Sequence, residues 1–294
     1  MADRPAAEVE VTEGLVRGLL AAQHPDLADL PLTRVAEGWD NAIWRLGTGL
    51  AVRVPRREIA ARLVVREQRW LPVLAERLPA PVPVPVREGS PTPDYPWRWS
   101  VVEWFEGQHA IELEPARCAT LVEPLAGFVT ALHTAAPDEA PSNPVRSVPL
   151  LARDEAVKGR LHAVPAGLRA QASALWSRAV AAPRWPGPRV WHHGDLHPGN
   201  LVAARDGSLS AVVDFGDLGA GDPAVDLAVG WSLFARADRE QFVRLVEPLV
   251  TDDALWLRAH GWALSFATAL LAFSDDNPLY RTLGERTLTA VLED

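Results

Sequence analysis

Cysteine and lysine are nearly absent from this chain of 294 residues; each occurs once. With Cys118 alone, an internal disulfide framework and a cysteine-rich zinc site are both excluded. With Lys158 as the sole lysine, almost all positive charge is arginine, and chemistry that needs a lysine elsewhere is excluded too. No apolar run reaches the ~18 residues that a membrane-spanning helix requires. The first residues, MADRPAAEVE, lack the apolar core of a secretory signal, which predicts a cytoplasmic protein with no membrane partner. Thirty-eight acidic residues outweigh 29 basic ones, for a net charge of −9. That balance argues against nucleic acid as the partner and admits a cationic one. The remaining composition, 48% apolar and 23% charged, is that of a globular chain long enough for one large domain or two lobes.

The pattern along the chain divides into a small front and a larger back. Residues 12–22 have helical spacing, with Thr12 as N-cap. Three strand-like runs follow, Leu32–Ala36, Ala42–Leu46 and Leu50–Val54, and the last two are close enough for a hairpin. A helix is expected over Ile59–Glu76, with Ile59, Leu63, Trp70 and Leu74 on its inner stripe. Alternating prolines bar residues 79–86 from a helix and leave an edge strand or an extended connector. Trp99–Phe105 is β-rich. Beyond residue 115 helices are expected, apart from a Pro-rich loop at 137–149 and a β segment at 200–215.

Oxygen-bearing side chains concentrate between residues 192 and 226. Asp195 and Asn200 stand five apart in HHGDLHPGN. A hairpin follows, with Asp206-Gly207 in its turn, and it returns Asp214 to the neighbourhood of Asn200. A carboxylate and an amide oxygen of this kind suit Mg²⁺, and a carboxylate free of metal can accept a hydroxyl proton. An Asp, an Asn five residues on, and Asp214-Phe215-Gly216 after a hairpin match the phosphoryl-transfer template. A metal-dependent hydrolase built on the His-Asp-His cluster, or an inactive binding protein, are the rival classes. The hydrolase would need further ligands, and the second rival is disfavoured by an intact Asp195, Asn200 and Asp214.

The segments HHGDLHPGNLV and VVDFGDLGAGDPAVDLA resemble the aminoglycoside phosphotransferase family, antibiotic kinases with a protein-kinase-like fold, and its macrolide-kinase relatives. GWDNAIWRLGTGLAVRVPR resembles that family's nucleotide-loop strands, and WSVVEWFEG its hinge between lobes, so the likeness spans roughly residues 32–235. It implies a two-lobed α+β fold, with a small β-rich lobe over residues 1–106 for nucleotide and a larger, mainly helical lobe over residues 107–294 for catalysis and substrate. It implies Asp195 as the catalytic base, Asn200 and Asp214 as Mg²⁺ ligands, ATP or GTP as donor, and His193 as a brace of the catalytic loop. Backbone groups of Glu103 and Phe105 would meet the purine, and amides near Gly38 would cover the phosphates.

Protein kinases place a lysine on the third strand, where this chain has Arg53. Arginine is always charged and grips phosphate bidentately, so the replacement is chemically viable. Glu67, on the expected inner stripe, is its natural partner, whereas Glu58 lies off that stripe. His192 and His197 read as structural. Asp222 reads as a helix cap ahead of Pro223, and Asp226 as an inward side chain that hydrogen-bonds the catalytic loop. For the acceptor, the acid pairs Asp252-Asp253, Asp275-Asp276 and Glu293-Asp294 would attract a polycationic aminoglycoside if they lined the cleft. Singly, each pair reads as solvated loop and cap acids. Trp231, Trp256 and Trp262 would instead suit a macrolide or another bulky alcohol. Homoserine- or choline-type metabolite kinases fit the same motifs.

Overall fold

Thr12 opens the first helix, its hydroxyl accepting the Leu15 N–H at 3.2 Å. The computed structural model describes residues 6–37, 40–246 and 252–294. Helix α1 (Glu13–Gln23) buries Val16, Leu19 and Leu20. Strands β1 (Leu32–Glu37), β2 (Asn41–Leu46) and β3 (Leu50–Pro55) follow, then helix α2 (Glu58–Ala75), β4 (Pro85–Gly89) and β5 (Trp99–Glu103). The five strands form one antiparallel sheet in the order β1-β2-β3-β5-β4. The expected β2–β3 hairpin is present: Leu46 faces Leu50, and Gly47 turns the three-residue loop at φ +60°. The Pro-rich stretch resolves into both forms that its prolines allow. Residues 81–84 are an extended connector, and β4 is an edge strand with Pro85 at its first position.

Helix α2 is rotated from the expected stripe. Ala60, Val64, Glu67, Leu71 and Leu74 are buried, while Ile59 is exposed and Leu63 and Trp70 are half-buried. The reason is that the helix is gripped from two sides. Gln68 donates to the Trp99 carbonyl of β5 at 2.9 Å, so that face belongs to the sheet. Leu63 lies against Gly216, and Trp70 packs on Trp191 at 5.0 Å between ring centres, so their face belongs to the larger lobe.

That lobe contains β6 (Gln108–His109), α3 (Pro115–Cys118), α4 (Val122–Leu132), α5 (Asp154–Arg160), α6 (Arg169–Ala181), β7 (Val190–His192), β8 (Leu201–Ala203), β9 (Leu209–Val212), β10 (Gly219–Gly221), α7 (Ala224–Leu227), α8 (Val229–Leu233), α9 (Arg236–Val246), α10 (Leu255–Phe273) and α11 (Pro278–Leu292). The long apolar helix α10 packs against α5, α6, α7 and α11. The apolar side chains form two cores. One joins α1 to the sheet through Val16, Leu20, Trp44, Val52 and Trp99. The larger lies among the later helices and also takes in Leu71 and Leu74 from the end of α2. The β6-β8-β9 sheet and the β7-β10 pair belong to the larger core through Trp191, Leu201 and Val212, and carry the loops of interest.

Candidate active site

Strand β7 pairs antiparallel with β10 and hands the chain to His193, Gly194 and Asp195. The fully buried Asp226 of α7 fixes this loop: its carboxylate accepts the His193 N–H at 2.7 Å and the Gly194 N–H at 2.8 Å. Burial pushes the Asp226 carboxyl up, but the hydrogen bond and charge of His133 outweigh it and hold the carboxyl down at about 2. Gly194 adopts φ +86°, and a Cβ there would stand 2.4 Å from the Asp217 carbonyl oxygen, so no other residue fits. His193 Nδ1 accepts the Asp195 N–H at 3.2 Å. The ring proton therefore sits on Nε2, which donates to the Val213 carbonyl at 3.0 Å and ties the loop to the end of the hairpin.

The same hairpin gathers the oxygens. Asn200 Nδ2 donates to the Asp195 carbonyl at 2.9 Å, and the Val213 N–H donates to the Asn200 carbonyl at 2.9 Å. Asp214 follows in a left-handed conformation, φ +62° and ψ +68°, with its side chain exposed. A non-glycine residue there is uncommon and costs conformational energy. Asn200 Oδ1 accepts no hydrogen bond among the described residues. One amide oxygen and one carboxylate are the hard donors that Mg²⁺ takes while keeping phosphate and water ligands. No group of three or more His, Cys, Asp or Glu able to hold a metal occurs among the described residues. The donor set thus fits Mg²⁺ together with phosphates rather than an all-protein cage.

Arg53 and Glu67 meet as a buried pair, Nη1 to Oε1 at 2.8 Å, and Arg53 Nη2 reaches Asp214 Oδ1 at 3.5 Å. Burial would lower the Arg53 pKa, but the Glu67 and Asp214 carboxylates outweigh it and hold the guanidinium charged. Burial likewise pushes Glu67 up while Arg53 draws it back. Glu58 instead bridges to Arg62 on the surface at 2.8 Å. Glu103 is exposed at the end of β5, opposite Leu50, and Phe105 is half-buried in the link to β6. Gly38 lies outside the described residues.

Several partners of Asp195 were invisible in the sequence. Arg146, from the Pro-rich loop, donates from Nη2 to Asp195 Oδ1 at 2.6 Å, with Nε 3.5 Å from Asp217 Oδ2. Asn143 holds that loop: its Oδ1 accepts the Val145 and Arg146 N–H groups, and its Nδ2 donates to Asp217 Oδ1 at 2.8 Å. His197, expected to be only structural, stands with Nε2 3.4 Å from Asp195 Oδ2. Its Nδ1 accepts the Gly199 N–H, which places the proton on Nε2, facing the carboxylate. Burial pushes the Asp195 carboxyl up, yet Arg146 and then His197 dominate and hold it well below the usual carboxylate range. His192 is buried and meets Ser147 Oγ at 2.9 Å, and burial depresses its pKa to about 4. Asp222 accepts the Ala224 N–H as a cap should, but also binds the buried Arg258, which nothing in the local pattern announced.

A small cavity opens beside Asp195, walled by Leu196, Val225, Ala228, Trp262 and Phe266 with Arg146 at its edge. The acid pairs do not line it. Asp252 binds Arg258, Asp275 binds Arg281 at 2.8 Å, and Asp294 binds Arg239 at 2.8 Å and the Trp231 indole at 2.9 Å. Asp253, Asp276 and Glu293 are exposed. Of the three tryptophans, only Trp262 reaches the cavity; Trp231 stacks on His260 and neighbours Trp256.

The model of the phosphotransferase enzyme family matches residues 31–262. The chain belongs to that family. The phosphotransferase is similar in fold to aminoglycoside 2'-phosphotransferase-IIIa bound to GDP, at 18% identity and TM-score 0.71, over 96% of this chain and 99% of the other. It is also similar to the macrolide 2'-phosphotransferase MphH from Brachybacterium faecium, at 22% identity and TM-score 0.62, over 92% and 96%. A third likeness is to aminoglycoside phosphotransferase APH(3'')-Id from Streptomyces rimosus, at 20% identity and TM-score 0.59, over 87% and 99%. No curated protein sequence matches the chain. The expected two-lobed fold and phosphotransferase class therefore hold. No helix among the described residues is long and apolar enough to cross a membrane.

Proposed function

We propose that this phosphotransferase is a Mg²⁺-dependent small-molecule kinase that moves the γ-phosphoryl group of ATP or GTP to a substrate hydroxyl in the cytoplasm. Residues 1–106 would hold the nucleotide and residues 107–294 would carry catalysis and the acceptor. The observation that carries this reading is the single hydrogen-bonded loop and hairpin that joins Asp195, Asn200 and Asp214. Asp195 orients the acceptor hydroxyl and takes its proton; the acceptor oxygen bonds to the γ-phosphorus as the bond to the β–γ bridging oxygen breaks, and a nucleoside diphosphate leaves. Asn200 Oδ1 and the Asp214 carboxylate would hold Mg²⁺, which neutralises the phosphate charge when bound. Arg53, fixed by Glu67, would grip the nucleotide phosphates. Backbone atoms of Glu103 and Phe105 would meet the purine, with Gly38 over the phosphates.

The family likeness makes an aminoglycoside the first acceptor to test. The apolar cavity beside Asp195, and the arginine partners of Asp252, Asp275 and Asp294, favour a second reading: a bulky, less cationic alcohol, of the macrolide or metabolite type. A nucleotide-consumption screen over aminoglycosides, macrolides, peptide antibiotics and amino alcohols, with and without EDTA, tests both. Turnover indifferent to EDTA would overturn the kinase reading.

A further inference from the structure

The segment from Arg146 to Arg160 carries three arginines, and its end packs against α10, whose Trp262 and Phe266 wall the cavity beside Asp195. Arg146 is joined by Arg153 and Arg160, which stand seven residues apart and so share one face of α5 and the turn before it. All three are at least half-buried, and the Nε of each is buried without a hydrogen-bond partner. Arg146 alone has carboxylate partners. Arg153 forms no ion pair among the described residues. Arg160 donates only to the Ser265 carbonyl and hydroxyl, at 3.3 and 3.2 Å, one residue from Phe266 in the cavity wall. The nearby Asp154 is spent on Lys158 and the Trp176 indole.

The mutual proximity is electrostatic as well as sequential. Burial and the Arg146 charge lower the Arg153 pKa. Burial, then Arg153 and Arg146, bring Arg160 down to about 10. Half-buried like charges that lower one another's pKa gain from an anion placed among them.

We infer that Arg153 and Arg160, together with Arg146, bind an anionic group on the acceptor, so that the preferred substrate is a largely apolar alcohol that carries a carboxylate or a phosphate. This rests on the kinase reading for the fate of the hydroxyl, but not for the anion site itself. The hydroxyl would lie at Asp195, the apolar body against Trp262 and Phe266, and the anion on the guanidinium face, where arginine offers paired N–H donors.

Calorimetric binding of a matched series to the full chain tests the inference. The probes are 4-(hydroxymethyl)benzoate, 4-(hydroxymethyl)phenyl phosphate, 4-(hydroxymethyl)benzamide and 4-(aminomethyl)benzyl alcohol. At least one anion should bind about five-fold or more tightly than the amide and the amine, and the stronger anion identifies the group. Arg153→Gln and Arg160→Gln should each erode that preference while Mg²⁺·ADP affinity stays unchanged. Equal binding of all four, tighter binding of the amine, no binding of either anion, or a preference that survives both substitutions would overturn it. Loss of Mg²⁺·ADP binding with the anion preference intact would instead sink the kinase reading and leave the anion site standing.

Discussion

Arg53 reaches Asp214 and Arg146 reaches Asp195, and the two arginines are held in different ways. Arg53 stands on β3, is buried, and is matched by an equally buried Glu67. Arg146 stands on a loop, its side chain 22% exposed, and leans on Asp195 and Asp217. The first pair is a fixture, because each desolvated charge would be costly without the other. The second occupies the carboxylate that the proposed mechanism uses as base, so under that proposal an incoming acceptor must displace or share it. Arg53 is locked by its ion pair with Glu67; Arg146 is only positioned, through Asn143 and Ser147.

The sharpest test of this contrast is Asp195→Asn, which keeps a partner for Arg146 but removes the base. Turnover should fall by about 10²–10⁴-fold while nucleotide Kd is unchanged. Near-normal kcat would take Asp195 out of the role assigned to it.

Next comes the fixture. Glu67→Ala leaves the buried Arg53 charge with only the exposed Asp214 at 3.5 Å, which should cost up to about 3–5 kcal/mol in denaturant unfolding and raise nucleotide KM. Arg53→Ala should do likewise, and the double variant should be far less damaged than the sum of the singles. Arg53→Lys should retain part of the activity without the bidentate grip. Strict additivity in kcat/KM for nucleotide would make the two residues independent.

His192 anchors the loop of Arg146 through Ser147, and its pKa is depressed to about 4 by burial. In the unfolded chain the ring titrates near pH 6.5, so between about pH 6.5 and 4 the unfolded state binds more protons. Stability should be whole above that window and decline as pH falls through it, by at most about 3 kcal/mol. Thermal unfolding from pH 7 to pH 4 reads this out, and His192→Gln should flatten the dependence.

The smallest effect is expected for Arg146→Ala in the pH–rate profile. Without that cation, burial is less opposed at Asp195, and the acid limb of kcat/KM should move to higher pH, with Arg53→Lys leaving the limb in place. An unmoved limb in Arg146→Ala would mean that the loop contact is incidental to the base.

The difference between the two arginines is also a difference in legibility. Arg53 and Glu67 lie on regular elements, where a strand's alternation and a helix's period say which side chains turn inward. Even there the stripe through Ile59, Leu63 and Trp70 was misread, because α2 is gripped by the sheet on one side and by the larger lobe on the other, and one sequence period cannot separate two buried faces. Asp195, Asn200 and Asp214 were legible because a short hairpin brings them together locally. Arg146, His133 and Arg258 were not, since no spacing connects residue 146 to 195, 133 to 226 or 258 to 222. His197 reads as structural in the sequence because a loop histidine carries no periodic signal; only its Gly199 hydrogen bond fixes where its proton points.

By itself, then, the sequence determined the local matters: the β2–β3 hairpin, the loop and hairpin that join Asp195, Asn200 and Asp214, the arginine that stands where protein kinases have a lysine, and the exclusion of disulfides and cysteine-zinc chemistry. These follow from contacts within about a dozen residues, or from residues that are missing. Which charges find partners was decided by tertiary structure alone. Asp252, Asp275 and Asp294, from the acid pairs that suggested a cationic ligand, are paired with Arg258, Arg281 and Arg239, while Arg146 reaches Asp195 and Asp217 and Arg153 forms no ion pair among the described residues. Net charge is a sum over the chain, but the field in a cleft depends on which charges have already found partners, and only the folded chain sets that.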